Sequence, residues 1–350
     1  MADPQQTGSD SSQSALSRRS LFRAAGLATG GALLLGLPGF LHRLADEAQA
    51  AELRATFAST NLTLELEGQP ASPLKSMEGG NAVADTKPDT VDSSDNFLRQ
   101  RITGHHFEDI LITAQLGAET LLSKWITDSL TQPPVPKNGA IVYTDLNSNV
   151  VKRLEFTNAF ITDIGLPTAD ATNTTTFALV LLTIAPQSTR LVGGSGKPYP
   201  VIMGTKSKAT YSGLFRFNVQ GLEKACARIG KVDNVGAARS KTVSLMTDKS
   251  GNPEFQVSRF QCSPISILLP EADAGPFYSW FDETVLKGKG GGERAGLLEW
   301  LDPTLKTILA RVQLGGLGII RYAPQGLTVG TEGVPKVQID MYCESINLLA

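Results

Sequence analysis

The chain has 350 residues, 41% of them hydrophobic and 19% charged, with a formal net charge of -2. It is long enough for two hydrophobic cores, and no basic excess argues for a nucleic-acid surface. Aromatic residues at 7% are too sparse for a platform that stacks unpaired bases.

Residues 1–16 are polar, and Ser17-Arg18-Arg19-Ser20-Leu21-Phe22-Arg23 follows. An apolar Gly/Ala/Leu run then extends from Ala24 to Leu41 and ends near Ala48-Gln49-Ala50. Basic, apolar and small-residue regions in this order form a signal peptide pattern. Arg18-Arg19, one variable residue and the hydrophobic pair Leu21-Phe22 resemble the twin-arginine (Tat) export signal. The resemblance implies export of a folded passenger by the Tat translocase, to the periplasm or cell envelope. Cleavage is expected between Ala50 and Ala51, which makes 1–50 the signal. The alternatives are a retained membrane anchor, since the run just reaches across a bilayer, or an arm on a cytoplasmic tail-like assembly.

In the mature chain, Leu62, Leu64 and Leu66 alternate with polar residues and predict a half-buried strand that ends at Gly68. Residues 69–103 are polar and interrupted by Pro73 and Pro88, so a long loop is expected there, with a frayed strand around Asn96–Arg101. A strand over Phe107–Thr113 and a helix over Glu119–Leu130 follow, with Leu121, Leu122, Trp125, Ile126 and Leu130 on one face. A hairpin is expected next, with arms Ala140–Tyr143 and Lys152–Phe156 around a turn at Asp145–Asn149. Strands over Ala159–Gly165 and Thr176–Thr183 close this part. A Gly/Pro-rich stretch then gives an expected linker over 192–212.

The same order returns. A strand over Leu214–Gly221 is followed by one over Ser263–Leu269 and a helix over Ala272–Leu286. A hairpin around Asp302-Pro303 leads to strands over Gly316–Tyr322 and Val337–Glu344. Leu121–Leu130 matches Pro276–Val285, with Trp125 against Trp280. Gly139–Asp145 matches Gly296–Asp302, and Pro167 matches Pro324. A repeat of roughly 155 residues suits a whole domain. Two tandem domains are expected, 51–191 and 213–350, each mainly antiparallel β with one flanking helix. Trp125, Trp280, Pro167 and Pro324 are the expected core anchors.

Reactive constellations do not stand out. His105 and His106 are the histidines outside the signal region, and strand alternation separates them. There is no G-x-S-x-G elbow. In Gly193-Gly-Ser-Gly-Lys197 a Leu replaces the first Gly and Pro198 the Ser/Thr of a P-loop. Gly288–Glu293 reads as a mobile loop. Asp145–Asn149 starts like a calcium loop, but Val150 and Phe156 stand where Gly and Glu are needed. No enzyme activity, metal or cofactor is expected. Cys226, Cys262 and Cys343 all lie in the second repeat. They read as buried small residues, and export would permit one disulfide and leave one thiol.

Both repeats resemble the tail tube protein family of contractile phages and phage-like injection systems, whose fold the Hcp tube protein of type VI secretion shares. The resemblance rests on an Ile/Leu strand followed by a helix with Lys124-Trp125-Ile126 or Ser279-Trp280-Phe281. It continues through Asn138–Val142, Glu155–Ala159, Ile161 and Ile164–Pro167, then Leu298–Asp302 and Gly316–Ile320, across most of 60–185 and 213–350. It implies a small β-barrel or sandwich with one helix, in hexameric rings that stack into a hollow tube. Two domains in one chain would make such a ring a trimer. The partners implied are further copies of this chain and other tail or baseplate proteins. The alternative is an exported tube-fold protein that acts as a periplasmic or envelope-associated binding protein.

Overall fold

The computed structural model describes residues 61–88, 99–117, 120–200, 209–247, 253–325 and 334–349. The first half opens with β1 (Asn61–Leu66) and β2 (Gln69–Gly79), joined by Glu67 at φ 48° and Gly68 at φ 74°. A two-residue loop with both φ values positive matches the twist of its strands. β3 (Ala82–Pro88) and β4 (Gln100–Phe107) pair as a separate two-stranded arm. In β5 (Ile110–Gln115) buried and half-buried residues alternate strictly. Helix α1 (Leu121–Thr131) buries Leu122, Trp125 and Ile126. Its start is fixed by a capping box: Thr120 Oγ1 accepts from the Ser123 N–H, and Ser123 Oγ accepts from the Thr120 N–H. β6 (Lys137–Thr144), β7 (Val150–Gly165), β8 (Ala169–Asp170), β9 (Leu179–Ala185) and β10 (Ser188–Gly193) complete this half.

The order β7-β6-β1-β2-β5-β9 closes on itself, because β9 also pairs with β7. The result is a closed antiparallel barrel with no free edge in its wall. Leu64, Ile112, Ile141, Phe156, Ile161 and Leu182 fill its interior.

The second half contains β11 (Phe215–Val219), the short helix α2 (Glu223–Cys226), β12 (Lys231–Asp233) and β13 (Gly236–Ala238). A second two-stranded arm is formed by β14 (Lys241–Thr247) and β15 (Pro253–Val257). β16 (Gln261–Cys262) and β17 (Ile265–Pro270) lead to α3 (Gly275–Phe281), which runs on into one π-helical turn over Asp282–Leu286. β18 (Arg294–Leu301), β19 (Ile308–Pro324), β20 (Lys336–Tyr342) and β21 (Ser345–Leu349) follow. The sheet order is β11-β18-β19-β20-β17-β12-β8. Among the described residues no pairing joins β11 to β12, so this barrel is nearly closed. The chain is therefore mainly β, with one closed and one nearly closed antiparallel barrel.

Backbone bonds cross between the halves. β13 pairs with β7, setting Gly236 opposite Gly165, and β12 pairs with β8, setting Val232 opposite Ala169. A single hydrophobic core runs through both halves.

Three expectations change. Residues 69–103 are not one long loop: β2 lines the barrel, and β3 and the start of β4 form the arm. The arm is solvated on both faces, so it carries no alternation to read. The expected linker 192–212 is docked up to Pro200. The Val150 N–H donates to Lys197 O at 3.0 Å, the Tyr199 N–H donates to Ser148 O at 2.8 Å, and 201–208 lie outside the described residues. Pro167 is half-buried and Pro324 is exposed, so neither anchors the core. Pro324 ends β19 and Pro167 follows β7, where a residue without an N–H suits the end of a ladder.

Candidate assembly surfaces

The two tryptophans set each helix on its barrel. Trp125 is 2% and Trp280 3% exposed. Trp280 Nε1 donates to Gly292 O at 2.8 Å, and the Arg294 guanidinium lies 5.0 Å from its ring centre. These contacts tie the Gly288–Glu293 loop down. Trp125 Nε1 is buried without a hydrogen-bond partner.

The matched aspartates fold the matched hairpin turns. Asp145 Oδ1 accepts from the N–H groups of Asn147 and Asn149 at 2.9 and 2.7 Å. Asp302 Oδ1 accepts from Thr304 Oγ1 at 2.7 Å and from the Lys306 and Thr307 N–H groups at 3.2 Å. Hydrogen bonds from Asn149 hold the Asp145 carboxyl below its usual range.

A buried carboxylate on each barrel is paired with arginine: Glu65 in the first half and Glu299 in the second. In the first half, Arg153 reaches Glu65 through Nη2–Oε1 at 2.5 Å and Nη1–Oε2 at 3.1 Å, and the Tyr199 hydroxyl donates to Glu65 Oε2 at 2.8 Å. This network sits beside a small apolar cluster of Ala140, Val142, Val150 and Tyr199, which pins 194–200 to the barrel. Burial pushes the Glu65 carboxyl up, but the bonds from Arg153 and Tyr199 outweigh it and leave it low. In the second half, Glu299 holds Arg311 at 2.9 Å and Arg216 at 3.4 Å.

At the seam between the halves, α1 lies against β1, β2 and β7 of its own barrel and against β21 of the other. A groove of about 750 Å3 opens there, lined by Leu116, Leu121, Val180, Leu309, Leu348 and Leu349 among others. On the far side, α3 packs against β19 of its own barrel. The base of the β14–β15 arm rests on the first barrel. Arg239 Nε donates to Ile161 O at 2.7 Å, its guanidinium stacks on Phe260, and Lys241 Nζ meets Asp109 at 2.7 Å.

A chain of the sheath–tube complex of an extracellular contractile injection system, in the extended state, matches at 11% identity and a TM-score of 0.33, covering 39% of this chain and 88% of that one. A chain of the anti-feeding prophage baseplate matches at 14% identity and 0.30, covering 39% and 91%. Hcp1 from Flavobacterium johnsoniae matches at 12% identity and 0.24, covering 39% and 94%. No protein-family model and no curated protein matches this chain.

The remaining sequence candidates are dispersed. His105 and His106 are exposed on the β3–β4 arm. His106 Nδ1 is 2.8 Å from Asp85 Oδ1, and His105 meets the edge of Phe107. Among the described residues no group of three or more His, Cys, Asp or Glu side chains is placed to hold a metal ion. Cys226 is buried in α2, where burial pushes its thiol up to about 11. Arg18, Arg19, Leu21, Phe22, Ala50 and Ala51 lie outside the described residues. Sequence reasoning missed β10 and β21. Their signal was faint: each begins at a Ser, separated by the same interval as Gly139 and Gly296.

Proposed function

We propose that the chain is a structural, non-enzymatic component of a phage-tail-like assembly, in which two tail-tube-like domains, 51–191 and 213–350, form part of a ring or tube. In this reading 1–50 is a Tat signal removed before Ala51, and three chains close a ring of six domains. One observation carries it. Among the described residues the contact between α1 and β21 occurs once, and the counterpart side chains Leu191 on β10 and Leu286 beyond α3 are exposed. Leu191 on β10 stands opposite Leu154 of β7, as Leu348 on β21 stands opposite Val312 of β19. Leu348 is partly buried against the core, whereas Leu191 is 66% exposed. Beyond α3, Leu286 is 60% exposed. A head-to-tail contact that sets α3 of one chain on β10 of the next would repeat the internal contact, and the proposed ring closes at three chains if each contact turns the next domain by one sixth of a circle.

Covering the rest of Leu191 is worth about 1–2 kcal/mol per contact, roughly a tenfold change in association. Native mass spectrometry of the protein isolated from its cells is expected to show a trimer. Leu191→Asp weakens that trimer at least about tenfold. A stable monomer for the unaltered protein contradicts the reading.

The groove beneath α1 favours a second reading, a periplasmic or envelope-associated binding protein, because about 750 Å3 is in the range of small-molecule sites. That reading predicts a monomer with a ligand in the groove.

A further inference from the structure

Cys262 and Cys343 are brought together by the fold, although 80 residues of chain lie between them. Cys262 is in β16, which pairs with β13, and β13 pairs with β7 of the first barrel. Cys343 lies between β20 and β21, both of which pair with β19 of the second barrel. In the β17–β20 ladder Ile265 stands opposite Met341. Continued by two residues, that antiparallel register sets Ser263 opposite Cys343, with Cys262 the next residue along the chain. Cys262 stands opposite the buried Ala237 and packs against the same core that Cys343 belongs to, and β16 lies against β21. Both thiols are free in this structure. Cys343 is buried, with Sγ 3.1 Å from Ser345 O and 3.6 Å from Gly315 O. Cys262 is half-exposed and open to a reagent from solvent. The neighbouring Cys343 thiol draws the Cys262 thiol below its usual range, against the opposing effect of burial.

We propose that Cys262 and Cys343 are a disulfide-forming pair that staples the sheet of the first barrel to that of the second. The oxidant is a small-molecule or protein disulfide. The Cys262 thiolate attacks one sulfur of that disulfide and displaces the other as a thiolate. Cys343 gives up its proton to the displaced thiolate and attacks Cys262 Sγ, releasing the second oxidant sulfur as a thiol. Two protein thiols are oxidised, one disulfide is reduced to two thiols, and the two protons end on the products. Cys226, within α2, stays a thiol. The inference is independent of ring assembly and holds for a monomer as well.

The test is oxidation of the purified, folded full chain with oxidised glutathione, followed by acid quench, alkylation and peptide mapping without reduction. The expected map contains one linked species joining the Cys262 and Cys343 peptides, lighter by two hydrogen atoms, with Cys226 alkylated only after unfolding. Cys226→Ser gives the same link, and Cys343→Ser traps glutathione on Cys262. The oxidised protein melts at a higher temperature than the same sample after reduction. A persistent glutathione adduct on Cys262 of the unaltered chain overturns the proposal. So does a map with all three thiols free, or a link formed only after unfolding. If Cys343→Ser does not fold, the maps of the unaltered chain before and after reduction decide the matter alone.

Discussion

Arg153→Met leaves Glu65 as a buried carboxylate with only the Tyr199 hydroxyl against it. The Glu65 side chain is 11% and the Arg153 side chain 25% exposed, so both charges are largely withdrawn from water. Breaking a fully buried pair costs about 3–5 kcal/mol, and the partial exposure of Arg153 lowers this to about 2–3 kcal/mol. For a chain of this size that is a fall in Tm of about 4–6 °C. Removing both charges with Arg153→Met and Glu65→Leu leaves no orphan ion and restores most of the loss. The same network pins 194–200, so the single variant is expected to be cut there by protease faster than the parent. The pH dependence gives an independent check. The folded Glu65 carboxyl is held low, so its contribution is present above the usual carboxylate range and is lost as pH falls through the folded value. Without Arg153, burial dominates and raises that value, so the variant gains by taking up a proton. The Tm gap between parent and variant therefore narrows between about pH 7 and about pH 4. Calorimetry across that range checks both statements. A gap that stays constant with pH, or a double variant no better than the single one, refutes the reasoning.

Gly139→Ala places a Cβ 2.2 Å from Glu65 O and 2.5 Å from the Phe156 ring, and the backbone oxygen has nowhere to go. At the matched Gly296 the nearest atom is Leu317 Cδ1 at 2.5 Å, the end of a side chain that can shift where a backbone oxygen cannot. Gly139→Ala is therefore expected to cost at least about 1–2 kcal/mol more than Gly296→Ala in urea unfolding. Trp280→Phe loses a hydrogen bond to Gly292 and an Arg294 contact, whereas Trp125→Phe loses no such bond. The first is expected to be about 1–2 kcal/mol worse, with faster hydrogen exchange in the Gly288–Glu293 loop.

How much of this was legible depended on how many faces of an element are buried. The helices at Trp125 and Trp280 and the hairpins at Asp145 and Asp302 were readable because each has one apolar face or a turn with its own chemistry. Strands read separately as Lys152–Phe156 and Ala159–Gly165 are one strand, β7. It continues through Asn158 at φ 46°, as β19 continues through Gly316 at φ 62°. The bend resembles a loop in sequence because the alternation slips there. β1 was expected to be half-buried, yet Thr63 and Glu65 are also covered, because the supposed linker returns to that wall. The seam strands β8, β12, β13 and β16 have two or three residues each, too few to show a period. The pairing of Cys262 with Cys343 depends on the ladders that flank them and was hidden for the same reason.

Electron microscopy of the protein, isolated from its cells and imaged without added ligand, tests the proposed ring most directly. Class averages of six-lobed rings are expected, three chains to a ring, alone or stacked into tubes. Single two-lobed particles that persist as the concentration rises would contradict it.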